Sequence, residues 1–196
     1  MARLVLVDAD EDILRESRAH GHEPVAAVGV ALPGLPFFTN LAAALAAAPE
    51  AALLCSPEPP LRAARDQECA GLGLPIADLA PPLSLGTHAA PGLVMRPQSR
   101  LTCDGALGRS VLLEPGAVVM HDATIGDYVT IGPRSVVLGR VSIGAGSRLG
   151  ANVTVLPERS IGRGCVVYAG SVVARDLPDG IVAAGAPARD PAEVRP

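Results

Sequence analysis

A chain of 196 residues with 49% apolar content is long enough to support its own core without disulfides or metals, and too aliphatic to be disordered. Aromatic residues make up only 2%, with no Trp, so Ala, Val, Leu and Ile must supply that core. The net charge of −4, from 16 basic and 20 acidic residues, argues against a general nucleic-acid binder, and because every basic residue is Arg, Schiff-base lysine chemistry and a Walker-type phosphate loop are excluded.

The opening residues MARLVLVD turn acidic after four apolar residues, which predicts a short strand over 3–7 rather than an export signal, and hence a cytoplasmic protein. Asp8 to His20 then reads as a helix ended by Gly21, 24–30 as a second strand, and Thr39 or Asn40 as the cap of a helix reaching Ala48. The stretch from Phe37 to Leu54 is the most apolar, but Thr39, Asn40, Pro49 and Glu50 interrupt it, so no membrane span is expected. Ala51 to Cys55 reads as a third strand, Pro60 to Gly71 as a helix, and Leu74 to Ile76 as a fourth strand. Alternating elements of this kind predict a small parallel sheet with helices on its faces, over residues 1–80. The turn after the first strand, where such a sheet could hold phosphates, carries Asp8, Asp10, Glu11 and Asp12, acids that suit a helix N-terminus. A magnesium-binding receiver site is excluded, since Cys55 and Ser56 stand where its phosphoaccepting Asp should be and no Lys exists. Asp8, Asp10 and Ser56 are candidates to touch a substrate.

After a Pro-rich stretch at 78–88, residues 81–100 form a linker and a looser starting coil, and a strict period takes over. Counting in sixes from Leu101, every position through Val173 is Leu, Ile or Val. Four residues after each lies a small or modest side chain, with Arg159 the clear exception, and Gly follows the aliphatic at 108, 126, 132, 144, 150 and 162, where a turning chain needs a permissive backbone. One large aliphatic every six residues fits neither a helix nor a lone strand. It predicts a parallel β-helix over 101–178, with three hexads per 18-residue coil and a tail over 179–196.

Cys55, Cys69, Cys103 and Cys165 contain no C-x-x-C pair and read as reduced core thiols. His20 and His22 flank the Gly at a helix end and are expected to be solvated, and His88 lies in the linker. His121 differs, because Asp122 follows it directly in the run VVMHDATIGDYVTIG. An imidazole beside a carboxylate is the usual construction of a general base, and at a coil corner adjacent side chains can meet, so the spacing permits pairing without proving it. Three histidines on adjacent coils, as a zinc hydratase of this architecture requires, are missing, and no metal is expected.

The hexads, followed by AGSVVARDLPDGIVAAGAPARD and preceded by a small α/β domain, resemble the bacterial sugar acyltransferases of the sialic acid O-acetyltransferase type and the related UDP-amino-sugar N-acetyltransferases. That resemblance implies a left-handed β-helix, a homotrimer with acetyl-CoA in the groove between neighbouring helices, and transfer of an acetyl group to an amino or hydroxyl group of a sugar-like acceptor. It implies His121 as the base and Asp122 as its support. Thr130 stands where relatives carry a second histidine, Gly139, Ala151 and Ala169 match the cofactor wall, and Arg163, Arg175 and Arg189 are the candidates for the CoA phosphates. Relatives that bind a UDP-sugar have a Gly-rich first turn. The acidic turn here predicts that a UDP-amino-sugar is not held in their manner and that a cationic or neutral acceptor is favoured. The competing expectation is a non-catalytic β-helix, acting as a scaffold or small-molecule binding module.

Overall fold

The computed structural model describes residues 2–81, 83 and 86–190. Two compact units divide the chain, residues 1–79 and 80–196.

In the first unit, β1 (Arg3–Val7), β2 (Glu23–Val28), β3 (Phe37–Phe38) and β4 (Ala51–Leu54) form an all-parallel sheet in the order β3-β2-β1-β4. Leu4, Val5, Leu6 and Val7 are fully buried, as a central parallel strand covered on both faces must be. The helices are α1 (Glu11–Ala19), the single turn α2 (Leu41–Ala44) and α3 (Pro59–Gly71). Asp10 sets where α1 begins: its carboxylate accepts from Ile13 N at 2.8 Å, so the helix starts three residues later than the run of acids suggested. Asn40 caps α2 through Ala43 N in the same way. The second strand stops at Val28 because Gly29 turns at φ 86°. The expected fourth strand at 74–76 shrinks to one parallel bridge, Ile76 to Ala52, while the two-residue strand β3, too short to show any period, was not foreseen.

The second unit is a parallel β-helix. Its three faces are sheets of two-residue strands, each paired with the strand 18 residues away, as Val118 pairs with Val136 and Thr124 with Ser142. The first face holds strands at 100–101, 118–119, 136–137, 154–155 and 172–173; the second begins at His88–Ala89 and runs through 160–161; the third runs from Val94–Met95 to Val182–Ala183. Strands therefore also form outside 101–178, and His88 belongs to the first of them rather than to a linker. The coil is left-handed, against the usual right-handed crossover preference.

The six-residue frame is the core: from Leu107 to Val173 every frame residue is at most 5% exposed. The intervening small residues are buried too, and where they are polar they are bonded. Ser135 Oγ donates to Gly150 O and accepts from Val153 N, and Ser147 does the same with Gly162 O and Cys165 N. Arg159 breaks the pattern by turning outward to Pro157 O and Asp176, and the last coil shortens, so that Ile161 bridges Leu177 and Val167 pairs with Ala183, each 16 residues on.

Glycine in the coil has a different reason from the one expected. None of Gly108, Gly126, Gly132, Gly144, Gly150 and Gly162 has a left-handed backbone. A Cβ at these positions would come within 2.5–2.7 Å of backbone in the next coil, so close stacking excludes a side chain. The left-handed corners lie two residues further on, many at non-glycine residues such as Ser110, Arg134 and Asn152.

Cys55, Cys69 and Cys165 are buried free thiols, but Cys103 is exposed at a corner. His22 is also not simply solvated: its Nδ1 is buried with no hydrogen-bond partner among the described residues, whereas His20 Nδ1 meets Glu16 O at 2.9 Å.

Candidate functional site

Three stacks of corners run along the β-helix, and His121 lies in the one that joins the first face to the second. Residues 18 apart in this stack are neighbours about 4.8 Å apart. Cys103 therefore precedes His121 and Gly139 follows it, while Asp104, Asp122, Arg140 and Glu158 form the parallel column. His121 Nδ1 lies 2.8 Å from Asp122 Oδ2, in a pair that is about half exposed. The corner makes this contact possible: Asp122 takes a left-handed backbone, φ 56°, which brings its side chain round to the residue before it instead of to the opposite face. Since a carboxylate only accepts, Nδ1–H donates and Nε2 is left unprotonated in the neutral ring.

Gly139 forms the floor beneath that ring. A Cβ built there would lie 2.5 Å from both Nε2 and Cε1 of His121, and its backbone is not left-handed, so the imidazole is what requires a glycine. Among the described residues no acceptor takes the Gly139 N–H. Its carbonyl accepts from Glu158 N at 3.1 Å, and His121 O accepts from Arg140 N at 2.9 Å, so the coils on both sides of the ring are tied together.

The other predicted site residues do not converge on His121 within one chain. Thr130 lies on the third face and is 2% exposed. Ala151 and Ala169 stack on the corner joining the third face to the first, and Arg163 is on the corner joining the second to the third, its N–H bound to Asp179 Oδ1 at 2.8 Å. Arg163 lines a groove of about 610 Å³ on the second face; its floor is Gly126, Gly144 and Gly162 and it begins at Thr124, three residues after His121. Arg175 follows the last strand of the first face, and Arg189 forms an antiparallel bridge with Ala184.

Sequence reading missed three neighbours of the dyad. Cys103 donates to Asp104, a bond that, with the carboxylate's charge, raises the thiol above its usual range. Arg140 gives Nε and Nη2 to Glu158 Oε1 at 3.0 and 2.7 Å. The signal was present as an offset of one coil, 18 residues, from His121 to Cys103, from Asp122 to Arg140 and from Arg140 to Glu158.

In the first unit the acidic turn is not a row of free carboxylates. Asp8, left-handed at φ 53° and packed over Gly29, pairs with Arg65 at 3.2 Å. Against the opposing effect of burial, the bonds to Glu68 and Asp8 raise the Arg65 pKa. Asp10 caps α1, and Glu11 and Asp12 both pair with Arg15, at 3.2 and 3.0 Å. Ser56 Oγ accepts from Glu58 N and its carbonyl takes the buried Arg62. The expected repulsion of a diphosphate assumed unpaired acids, and that premise is corrected: each of the four has a partner. Among the described residues no group of three or more His, Cys, Asp or Glu side chains could hold a metal ion, and no helix is long and apolar enough to cross a membrane.

The family profile of the bacterial transferase hexapeptide (six repeats) matches residues 107–139 and 140–175. No curated protein sequence matches the chain. Among solved structures, a variant of GDP-perosamine N-acetyltransferase from Caulobacter crescentus, in complex with CoA and GDP-perosamine, superposes with a TM-score of 0.88 at 25% identity, covering 96% of each chain. The acetyltransferase domain of PglB from Neisseria gonorrhoeae in complex with acetyl coenzyme A gives 0.86 at 21% identity, over 96% of this chain and 98% of that one. WeeI from Acinetobacter baumannii gives 0.78 at 18%, over 96% and 99%; at these last two identities the likeness is one of fold.

Proposed function

We propose that this chain, whose residues 107–139 and 140–175 match the hexapeptide transferase profile, is a sugar acyltransferase that moves an acetyl group from acetyl-CoA to an amino or hydroxyl group of a sugar-like acceptor, with His121 as general base. The observation that carries this reading is the 2.8 Å contact between His121 Nδ1 and Asp122, which orients the ring and leaves Nε2 to accept a proton over the bare floor at Gly139.

Acetyl-CoA supplies an activated thioester carbonyl. His121 Nε2 takes the proton from the acceptor nitrogen or oxygen as that atom forms its bond to the carbonyl carbon. The unclaimed Gly139 N–H is the donor for the charge that develops on the carbonyl oxygen. As the carbon–sulfur bond breaks, the imidazolium returns the proton to sulfur, and Asp122 stabilises the charged ring in between.

The groove on the second face supports a path for the long donor from His121 to Arg163. Ala151, Ala169 and Arg189 lie elsewhere on the chain, so they reach the same donor only from another copy. The first face suits such packing: Val118, Met120, Val136, Leu138, Leu156 and Val172 point outward from it, apolar and half-buried, with Arg100, Thr102 and Thr154 the polar exceptions, whereas the second face presents Thr124, Ser142 and Ser160. We infer a homotrimer packed on the first face, beside the His121 corner. With the first-turn carboxylates engaged, we infer a nucleotide-linked amino sugar as acceptor, a reading supported by the GDP-perosamine complex.

The test is thiol release from acetyl-CoA with GDP- and UDP-linked amino sugars and with free amino sugars, for the native chain and for His121→Ala. The variant keeps a three-chain mass by light scattering and loses about 10²- to 10⁴-fold in turnover. Turnover close to native would remove His121 from the chemistry, a one-chain mass would remove the intermolecular groove, and exclusive use of free sugars would remove the nucleotide-linked acceptor.

A further inference from the structure

The column beside the dyad is built of charge at a backbone cost. Asp104, Asp122, Arg140 and Glu158 all take left-handed φ values, between 56° and 63°, and none is glycine. The equivalent columns on the other two corners mix Gly116 and Gly170 with Gln98, Arg134 and Asn152, or Gly146 and Gly164 with Ser110 and Tyr128, so an unbroken charged run from 104 to 158 is particular to this column. A left-handed backbone costs a non-glycine residue on the order of 1 kcal/mol.

The pairing within the column is uneven. Asp104 accepts from its own neighbour Cys103, and Asp122 from its own neighbour His121. Arg140 instead reaches along the column, and both of its contacting nitrogens go to Glu158 Oε1. Coils are about 4.8 Å apart, so Arg140 stands midway between two carboxylates, Asp122 on one side and Glu158 on the other, and its side chain is long enough for either. Its backbone is tied to the dyad as well, through Arg140 N to His121 O at 2.9 Å.

The choice Arg140 makes has consequences for the base. A guanidinium on Asp122 would compete with the Nδ1–H of His121 for the carboxylate and would place a positive charge beside the ring. Both effects disfavour the imidazolium and weaken the base. The titratable and charged groups around His121 are Asp122 beside it, Cys103 and Asp104 from the preceding coil, and Arg140 and Glu158 from the coils that follow; Arg159, further along, is engaged with Asp176.

We propose that Glu158 is a positioning residue, which holds Arg140 away from Asp122 and so reserves that carboxylate for His121. This rests on the reading of His121 as the general base, but its primary test does not depend on turnover. The His121 ring is titrated by NMR in the native chain, in Glu158→Gln, and in Glu158→Gln combined with Arg140→Met. In the single variant Arg140 turns to Asp122, the His121 pKa falls by about half a unit or more, and the acid limb of kcat/KM moves down with it. The turnover plateau drops severalfold while KM for acetyl-CoA is unchanged. The double variant, with the competing cation gone, returns the ring to its native titration, a rescue that a merely structural role for Glu158 would not produce. An unshifted ring in Glu158→Gln, or a shift that persists in the double variant, overturns the proposal. Full turnover in His121→Ala with the NMR shift intact would instead overturn only the role of the base.

Discussion

The two units reach their cores by opposite routes. In the first, each boundary is set by a local device: Asp10 and Asn40 cap helices, Gly29 ends a strand, and Asp8 is held in place by an ion pair with Arg65 from a distant helix. In the second, one rule repeated every six residues places the strands up to Val173, and until the last, shortened coil the neighbours of a side chain are found by adding or subtracting 18. Glycine shows the difference most directly. Gly21, at the end of α1, has φ 80° and open space around its missing side chain, so the first unit uses glycine for its backbone. Gly132 has an ordinary backbone and lies 2.5 Å, at the Cβ position, from Gly150 C and O and Leu149 O, so the second unit uses it for its lack of volume.

The same substitution should therefore fail for different reasons and by different amounts. Gly132→Ala forces rigid backbone apart in the middle of a stacked ladder and is expected to cost about 3 kcal/mol or more. Gly21→Ala meets nothing and should cost only about 1 kcal/mol, for the left-handed backbone. Denaturant unfolding followed by tyrosine fluorescence reads the coil alone, since Tyr128 and Tyr168 are the two tyrosines and both lie in the second unit. Far-ultraviolet circular dichroism reads both units. Equal midpoint shifts for the two variants would dissolve the distinction.

That difference also decides what could be read from the chain alone. The β-helix was legible because burial depends on a period, and a period survives any local exception; even Arg159, which breaks it, marks where the coil shortens. The parallel sheet was legible as alternating elements, but its details were not: β3 is two residues long, and the bridge at Ile76 depends on how β4 is placed in space. At the candidate site the sequence showed that His121 and Asp122 are adjacent, while the turn that lets them touch required the left-handed backbone at Asp122. Arg140 and Glu158 were overlooked because a motif is read along the chain, and these residues are neighbours only across coils. In the acidic first turn the helix N-terminus was legible, with Asp10 as cap and Glu11 and Asp12 in the first turn, but the ion pair was not, since Arg65 reaches Asp8 only in the folded sheet.

Gly139 is where the coil's rule for glycine meets the proposed chemistry, and it sharpens the comparison. Its missing Cβ makes room for a side chain, the His121 ring, where Gly132 makes room for backbone. The ring is half exposed and can tilt away, so Gly139→Ala should fold with little loss of stability. A displaced Nε2 no longer meets the acceptor's proton in line, and misplacement on the scale of 1 Å can cost about 10²-fold. Steady-state kinetics beside an unfolding curve checks this. A large loss of stability with native turnover would place Gly139 with Gly132, as a stacking residue only.

The smallest expected effect belongs to the first unit and concerns pH. Burial lowers the His22 pKa below its usual value of 6.5, and the charge of His20 lowers it further. In the unfolded chain His22 titrates normally, so between the lowered value and 6.5 the unfolded state binds more protons than the folded one. Stability of the first unit is therefore fully present above pH 6.5, declines as pH falls through that window, and levels off below the folded pKa. Hydrogen exchange of the β1 and β2 amides at pH 7.5 and 5.5, corrected for intrinsic rates, should show faster opening at the lower pH in the native chain. His22→Gln, which cannot titrate, should remove most of that difference. If the variant opens with the same pH dependence as the native chain, the buried Nδ1 is not its source.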